Sequence, residues 1–111
     1  MKELRGPELA ELARARGGTP PLLLDVREDW EFALAAIRLD GLETRSMPMN
    51  SVPQRLAELD PAQTIVCICH HGVRSAQVVA FLAHRGYEAV YNLAGGIDAW
   101  SLQMDPKLPR Y

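Results

Sequence analysis

The chain lacks the features that would place it in most specialised classes. No apolar run approaches the roughly 20 residues that a membrane span needs. No charge dominates, since 12 Lys and Arg face 14 Asp and Glu and leave a net −2. There is no basic excess for nucleic acid and no acidic tail for a basic partner. Repeats, low-complexity tracts and interdomain linkers are also missing, so residues 1–111 read as one domain. Met1 to Arg16 reads as a charged helix with no apolar core of signal-peptide length, so secretion is not expected. Cysteine is scarce. Cys67 and Cys69 stand two positions apart, where a strand points both side chains the same way and a disulfide would be strained. Two free thiols and no secretion signal suggest a reducing cytoplasm.

What is present alternates between helical and strand-like patterns. Pro7 can open a helix bearing Leu9, Leu12 and Ala13 on one face, and Gly17-Gly18 stop it. Leu22–Leu24, ending at Asp25, is a short buried strand. Asp29 to Ile37 reads as a short helix, with Trp30, Leu34 and Ile37 along one face. A short strand is placed near Thr44 to Met49. Ser51 then resembles an N-cap with Gln54 at the capping-box position of a helix carrying Val52, Leu56 and Leu59. Thr64–Cys69 is apolar and β-branched without polar alternation, as in a strand covered on both faces. Arg74–Arg85 is helical and Gly86 caps it. Ala89–Leu93 is a strand, Gly95-Gly96 a turn, and Ile97, Trp100 and Met104 mark a last helix. Strands alternating with helices imply an α/β fold with a largely parallel sheet.

The segment Cys69-His70-His71-Gly72-Val73-Arg74-Ser75 carries the chemistry. A cysteine ends a buried strand, a short loop follows, and a helix begins. Ligands of open α/β sheets bind at the carboxyl ends of strands. A helix start supplies unpaired N–H groups and the positive end of a dipole. Such a place favours a thiolate over a thiol. Arg74 brings a permanent cation within reach if the loop curls around Cys69. Gly72 permits a positive φ inside the tight loop. The same donors would hold a persulfide anion or an anionic substrate. The alternative is a small cysteine packed at a strand end.

These residues resemble the active-site loop of the rhodanese family, with Cys69-x-x-Gly72-x-Arg74-Ser75 matching it residue by residue. Leu23-Leu24-Asp25-Val26-Arg27-Glu28, followed by Trp30-Glu31-Phe32, is similar to the family's first signature. Leu93-Ala94-Gly95-Gly96-Ile97-Asp98-Ala99-Trp100 is similar to its C-terminal one. The resemblance implies a rhodanese-like α/β fold: a central, mostly parallel sheet of about five strands with helices on both faces. It also implies a sulfurtransferase in which Cys69 is catalytic and His70, His71, Gly72, Val73, Arg74 and Ser75 form the substrate-binding loop. Arg38-Leu39-Asp40-Gly41 departs from the family's His-Ile-Pro-Gly, and His70 and His71 occupy loop positions that vary.

Expected partners are small sulfur donors, thiosulfate or persulfides, and thiol or sulfur-carrier protein acceptors. No cofactor, metal, nucleic acid or membrane is expected. Phosphatases and arsenate reductases share the fold with a loop one residue longer, whereas here four residues separate Cys69 from Arg74. Cys67, Cys69, His70 and His71 are ligand types with poor zinc spacing, and Cys67 reads as packed under the sheet. A non-catalytic interaction module is a further alternative, opposed by the presence of Cys69. Asp25 and Arg27 read as an ion pair or cap supporting the Cys69 loop. His70 and His71 contact substrate or tune Cys69, or are simply exposed. Ser75 caps the helix or donates to bound sulfur. His84 reads as solvated, Trp30 and Trp100 as core.

Overall fold

A computed structural model of the chain describes residues 2–15 and 17–111. Met1 and Arg16, the ends of the expected first helix, lie outside the described residues. Between them β1 (Glu3–Leu4) precedes α1 (Gly6–Arg14), so the helix is shorter than the charge pattern suggests. The strand escapes sequence reading because it has only two residues and no apolar alternation.

The remaining elements are β2 (Leu22–Asp25), α2 (Asp29–Leu34), β3 (Glu43–Ser46), β4 (Ile65–Ile68), α3 (Val73–His84), β5 (Val90–Leu93) and α4 (Gly96–Gln103). They form one five-stranded sheet in the order β1-β5-β4-β2-β3, with every neighbouring pair parallel. All five carboxyl ends therefore lie on one side.

Alternation along the strands builds two cores. Leu22, Leu24, Ile65, Cys67 and Val90 point to one face, where Val78, Val79 and Leu82 of α3 cover them. Leu23, Val66, Ile68 and Leu93 point to the other, against Leu9 of α1 and Ile97 and Trp100 of α4. Burying each of these large aliphatic side chains contributes about 2 kcal/mol. Because β4 is central and covered on both faces, the chain leaving its end is aimed with little freedom.

Two further expected helices differ. Helix α2 stops at Leu34 rather than Ile37, since the Arg27 guanidinium takes the carbonyls of Glu31 and Ala35 that close its end. The stretch around and after Ser51 is not an α-helix but two 3₁₀ segments, Met49–Ser51 and Pro53–Glu58. Pro53 has no N–H to donate. The Ser51 hydroxyl donates backward to the Pro48 carbonyl at 2.7 Å instead of capping forward.

Helix α4 fixes the chain that follows β4. Its Ile97 and Asp98 amides donate to the carbonyls of Cys69 and His70 at 2.9 and 3.1 Å. The approach requires glycine at position 96. A Cβ there would stand 2.4 Å from the carbonyl oxygens of both Cys69 and His70, and φ is +61°. Gly41 shares a positive φ, +83°, but a Cβ there meets nothing within 4 Å among the described residues. We expect Gly96→Ala to lower the urea unfolding free energy by about 3 kcal/mol, against about 1 kcal/mol for Gly41→Ala. Equal losses would remove the close approach as the cause.

Candidate active site

Cys69 follows β4 directly and is 1% exposed. Its sulfur accepts the Gly72 N–H at 3.1 Å and lies 3.2 Å from the Ser75 hydroxyl. Gly72 is the N-cap of α3 with φ +100°, and no side chain caps the first turn. A helix start leaves its first-turn amides without intrahelical partners, and the glycine N-cap has no side chain to take any of them here. The loop carbonyls of Cys69 and His70 are held by α4, so they do not compete for those donors.

Ser75 is fully buried and its hydroxyl also lies 2.5 Å from Asn92 Oδ1. Asn92 Nδ2 in turn donates to the Gly72 carbonyl at 3.0 Å. A hydroxyl has one hydrogen. With Cys69 as a thiol, S–H can donate to Ser75 Oγ while Ser75 donates to Asn92. With Cys69 as a thiolate, Ser75 can turn its hydrogen to the sulfur. Asn92 was not singled out from sequence, although it directly precedes the Leu93–Trp100 signature.

Arg74 donates both terminal nitrogens to Glu31, at 2.6 and 2.9 Å, and makes no hydrogen bond to Cys69. Its charge acts on the sulfur through space, and the pair ties the loop to α2. The Arg74 guanidinium holds the Glu31 carboxyl down at about 2, from 4.5, with burial opposing and Tyr111 assisting. Beneath it, Arg27 and Asp25 form a fully buried bidentate pair, Nε–Oδ1 2.9 Å and Nη2–Oδ2 2.7 Å. Tyr111 joins the two pairs. Its hydroxyl accepts from Arg27 Nη1 and donates to Glu31 Oε2, each at 2.7 Å.

Residues 8–103 match the rhodanese-like domain family. The chain belongs to that family. It is 40% identical over 80 residues to a sulfurtransferase of Allochromatium vinosum, covering 72% of this chain and 71% of that protein. It is 37% identical over 93 residues to the rhodanese-like/PpiC domain-containing protein 12, chloroplastic, of Arabidopsis thaliana. That match covers 80% of this chain but spans only 30% of the longer relative. The crystal structure of SSP1007 from Staphylococcus saprophyticus superposes with a TM-score of 0.79 at 33% identity, covering 99% of this chain and 100% of that one.

In this rhodanese-like domain the two loop histidines stack, centroids 4.0 Å apart. His70 is half-buried and its Nε2 has no hydrogen-bond partner among the described residues. Burial, and then the neighbouring His71, push its titration below the usual histidine range. His71 is exposed, with Nδ1 3.9 Å from Asp98. Val73, on the loop's outer side, is 68% exposed. Cys67 lies in the α3-side core, where burial pushes its thiol up to about 12. His84 is exposed.

Trp30 is 64% exposed rather than core, because α2 buries the adjacent Glu31 instead, and the Trp30 ring meets Tyr111 edge-on at 5.9 Å. Trp100 is in the core. A 430 Å³ cleft lined by Leu12, Pro20, Pro21 and Thr64 lies at the amino ends of β2 and β4, away from Cys69.

Glu31 was quoted from sequence as part of the first signature but given no role. Its ionisation stabilises the fold fully above 4.5, and that stability is lost as pH falls toward about 2. We expect Glu31→Gln to unfold about 2 kcal/mol more easily at pH 7, with the gap to the wild type closing between pH 4.5 and 2. Urea titrations at three pH values check this, and a gap independent of pH would contradict it.

Proposed function

We propose that this domain is a sulfurtransferase that carries sulfane sulfur as a persulfide on Cys69. The observation that supports it best is the Cys69 sulfur at the start of α3, taking the Gly72 N–H at 3.1 Å with the Ser75 hydroxyl at 3.2 Å. The names of relatives such as the Allochromatium sulfurtransferase support the same class.

In the first half-reaction the Cys69 thiolate attacks the outer sulfur of thiosulfate, forming Cys69–S–S⁻ and releasing sulfite. A persulfide donor, R–S–SH, would release R–SH instead. The loop amides and the Ser75 hydroxyl stabilise the terminal anion. In the second half-reaction a thiolate, from a small thiol or a sulfur-carrier protein, attacks the outer sulfur and regenerates the Cys69 thiolate. Sulfur is neither lost nor oxidised across the cycle, so neither metal nor organic cofactor is required. We place the reaction in the cytoplasm, where free thiols persist.

Cys67 contributes packing, since a thiol held up to about 12 stays protonated at working pH. We expect intact mass to show one added sulfur after thiosulfate or a persulfide donor, reversed by reductant and absent in Cys69→Ser. Steady-state turnover should give parallel double-reciprocal lines. Cys67→Ser should keep transfer and cost about 1–2 kcal/mol of stability for the buried hydroxyl. A folded Cys67→Ser protein without transfer would reverse the roles of the two cysteines.

A further inference from the structure

The loop that carries Cys69 is also gripped from outside β4, α3 and α4, by residues that follow α4. This segment is anchored twice. The Ser101 hydroxyl donates to the Leu108 carbonyl at 2.6 Å, and Arg110 Nε donates to Asp98 Oδ1 at 3.0 Å. Leu108 and Tyr111 both pack against the core on the α4 side. The segment thereby delivers the Tyr111 ring onto the His70 ring, centroids 4.0 Å apart and planes within 6°. Among the described residues His70 Nε2 has no hydrogen-bond partner, so that atom does not place the ring. The ring is stacked between Tyr111 and His71, and the Tyr111 backbone hydrogen-bonds the imidazole as well.

The Tyr111 hydroxyl closes a second link. Arg27 Nη1 donates to it, it donates to Glu31 Oε2, and Arg74 Nη2 donates to that same oxygen. Burial, with the Glu31 carboxylate, pushes the phenol up to about 12 despite Arg27, so it keeps the proton it donates. The buried Asp25–Arg27 pair reaches the Cys69 loop through this phenol.

We propose that Tyr111 is a positioning residue for sulfur transfer: its ring fixes His70 and its hydroxyl fixes the Glu31–Arg74 pair, so that the loop donors stay on the Cys69 sulfur. The inference rests on the persulfide reading above. It predicts a graded loss. Tyr111→Phe keeps the ring and its stack but removes the bridge from Arg27 to the Glu31 carboxylate, leaving the direct Arg27 bond to the Glu31 carbonyl. Tyr111→Ala removes both.

The test is single-turnover persulfide formation on the full chain, followed by intact mass against thiosulfate concentration, well below each variant's thermal midpoint. Rates are scaled to the folded fraction measured by circular dichroism. We expect the maximal rate to fall about threefold in Tyr111→Phe and tenfold or more in Tyr111→Ala. The half-saturating thiosulfate concentration should change less than the maximal rate. A purely structural tyrosine would lower the thermal midpoint and leave the scaled rate alone. A wild type that loads while both variants load at its rate overturns the role of Tyr111 and leaves the persulfide reading standing. Tyr111→Phe keeps the packing, so it decides the hydrogen-bond bridge even if Tyr111→Ala does not fold. A wild type that takes up no sulfur from thiosulfate or a persulfide donor overturns both.

Discussion

The opening amides of α4 hold the Cys69 and His70 carbonyls at 2.9 and 3.1 Å, and the geometry of the Cys69 loop depends on that grip. A loop leaving a parallel strand has carbonyls and amides to orient, and a thiolate tolerates only the amides. By occupying the carbonyls, α4 leaves the Gly72 amide, at the start of α3, for the sulfur. Two helix starts thus converge on one short loop, one binding its oxygens and the other its sulfur. The near contact of Gly96 with both carbonyls is the steric cost of bringing them together.

Charge is handled in the same compensated way. Arg27 and Asp25 are both fully buried, which is tolerable only because each satisfies the other and Arg27 also caps α2. Arg74 is spent on Glu31 rather than pointed at the sulfur. Its role is to anchor the loop on α2 while contributing a through-space positive field. In the proposed cycle the anion is left to short dipoles, the amides and the Ser75 hydroxyl, which can follow the sulfur from thiolate to persulfide. A fixed guanidinium contact would hold a small anion more tightly and release it more slowly.

The sheet and the Cys69 loop were legible because their signals are local. Thr64 to Cys69 is a β-branched apolar run, and Gly72, Gly95 and Gly96 mark the tight places where φ is positive. The paired strands, all parallel, follow from that pattern. What was illegible depends on distant partners. Nothing local tells that Arg27 will claim the Ala35 carbonyl and end α2 early. Nor does sequence tell that Trp30 will face outward beside Tyr111. Glu31, Asn92 and Tyr111 reach the site from separate elements, and Tyr111 bonds residues 80 and 84 positions away. The two 3₁₀ segments follow from Pro53, a local signal outweighed in the reading by the Ser51–Gln54 spacing.

The central claim is that the α3-side donors form a cradle for an anionic sulfur attached to Cys69. The most direct measurement is a crystal structure of the protein after treatment with thiosulfate. It should show one extra sulfur bonded to Cys69 Sγ, within hydrogen-bonding distance of the Gly72 amide and its first-turn neighbours, with Cys67 unmodified. A tetrahedral anion bound over an unmodified Cys69, or sulfur on Cys67, would contradict it.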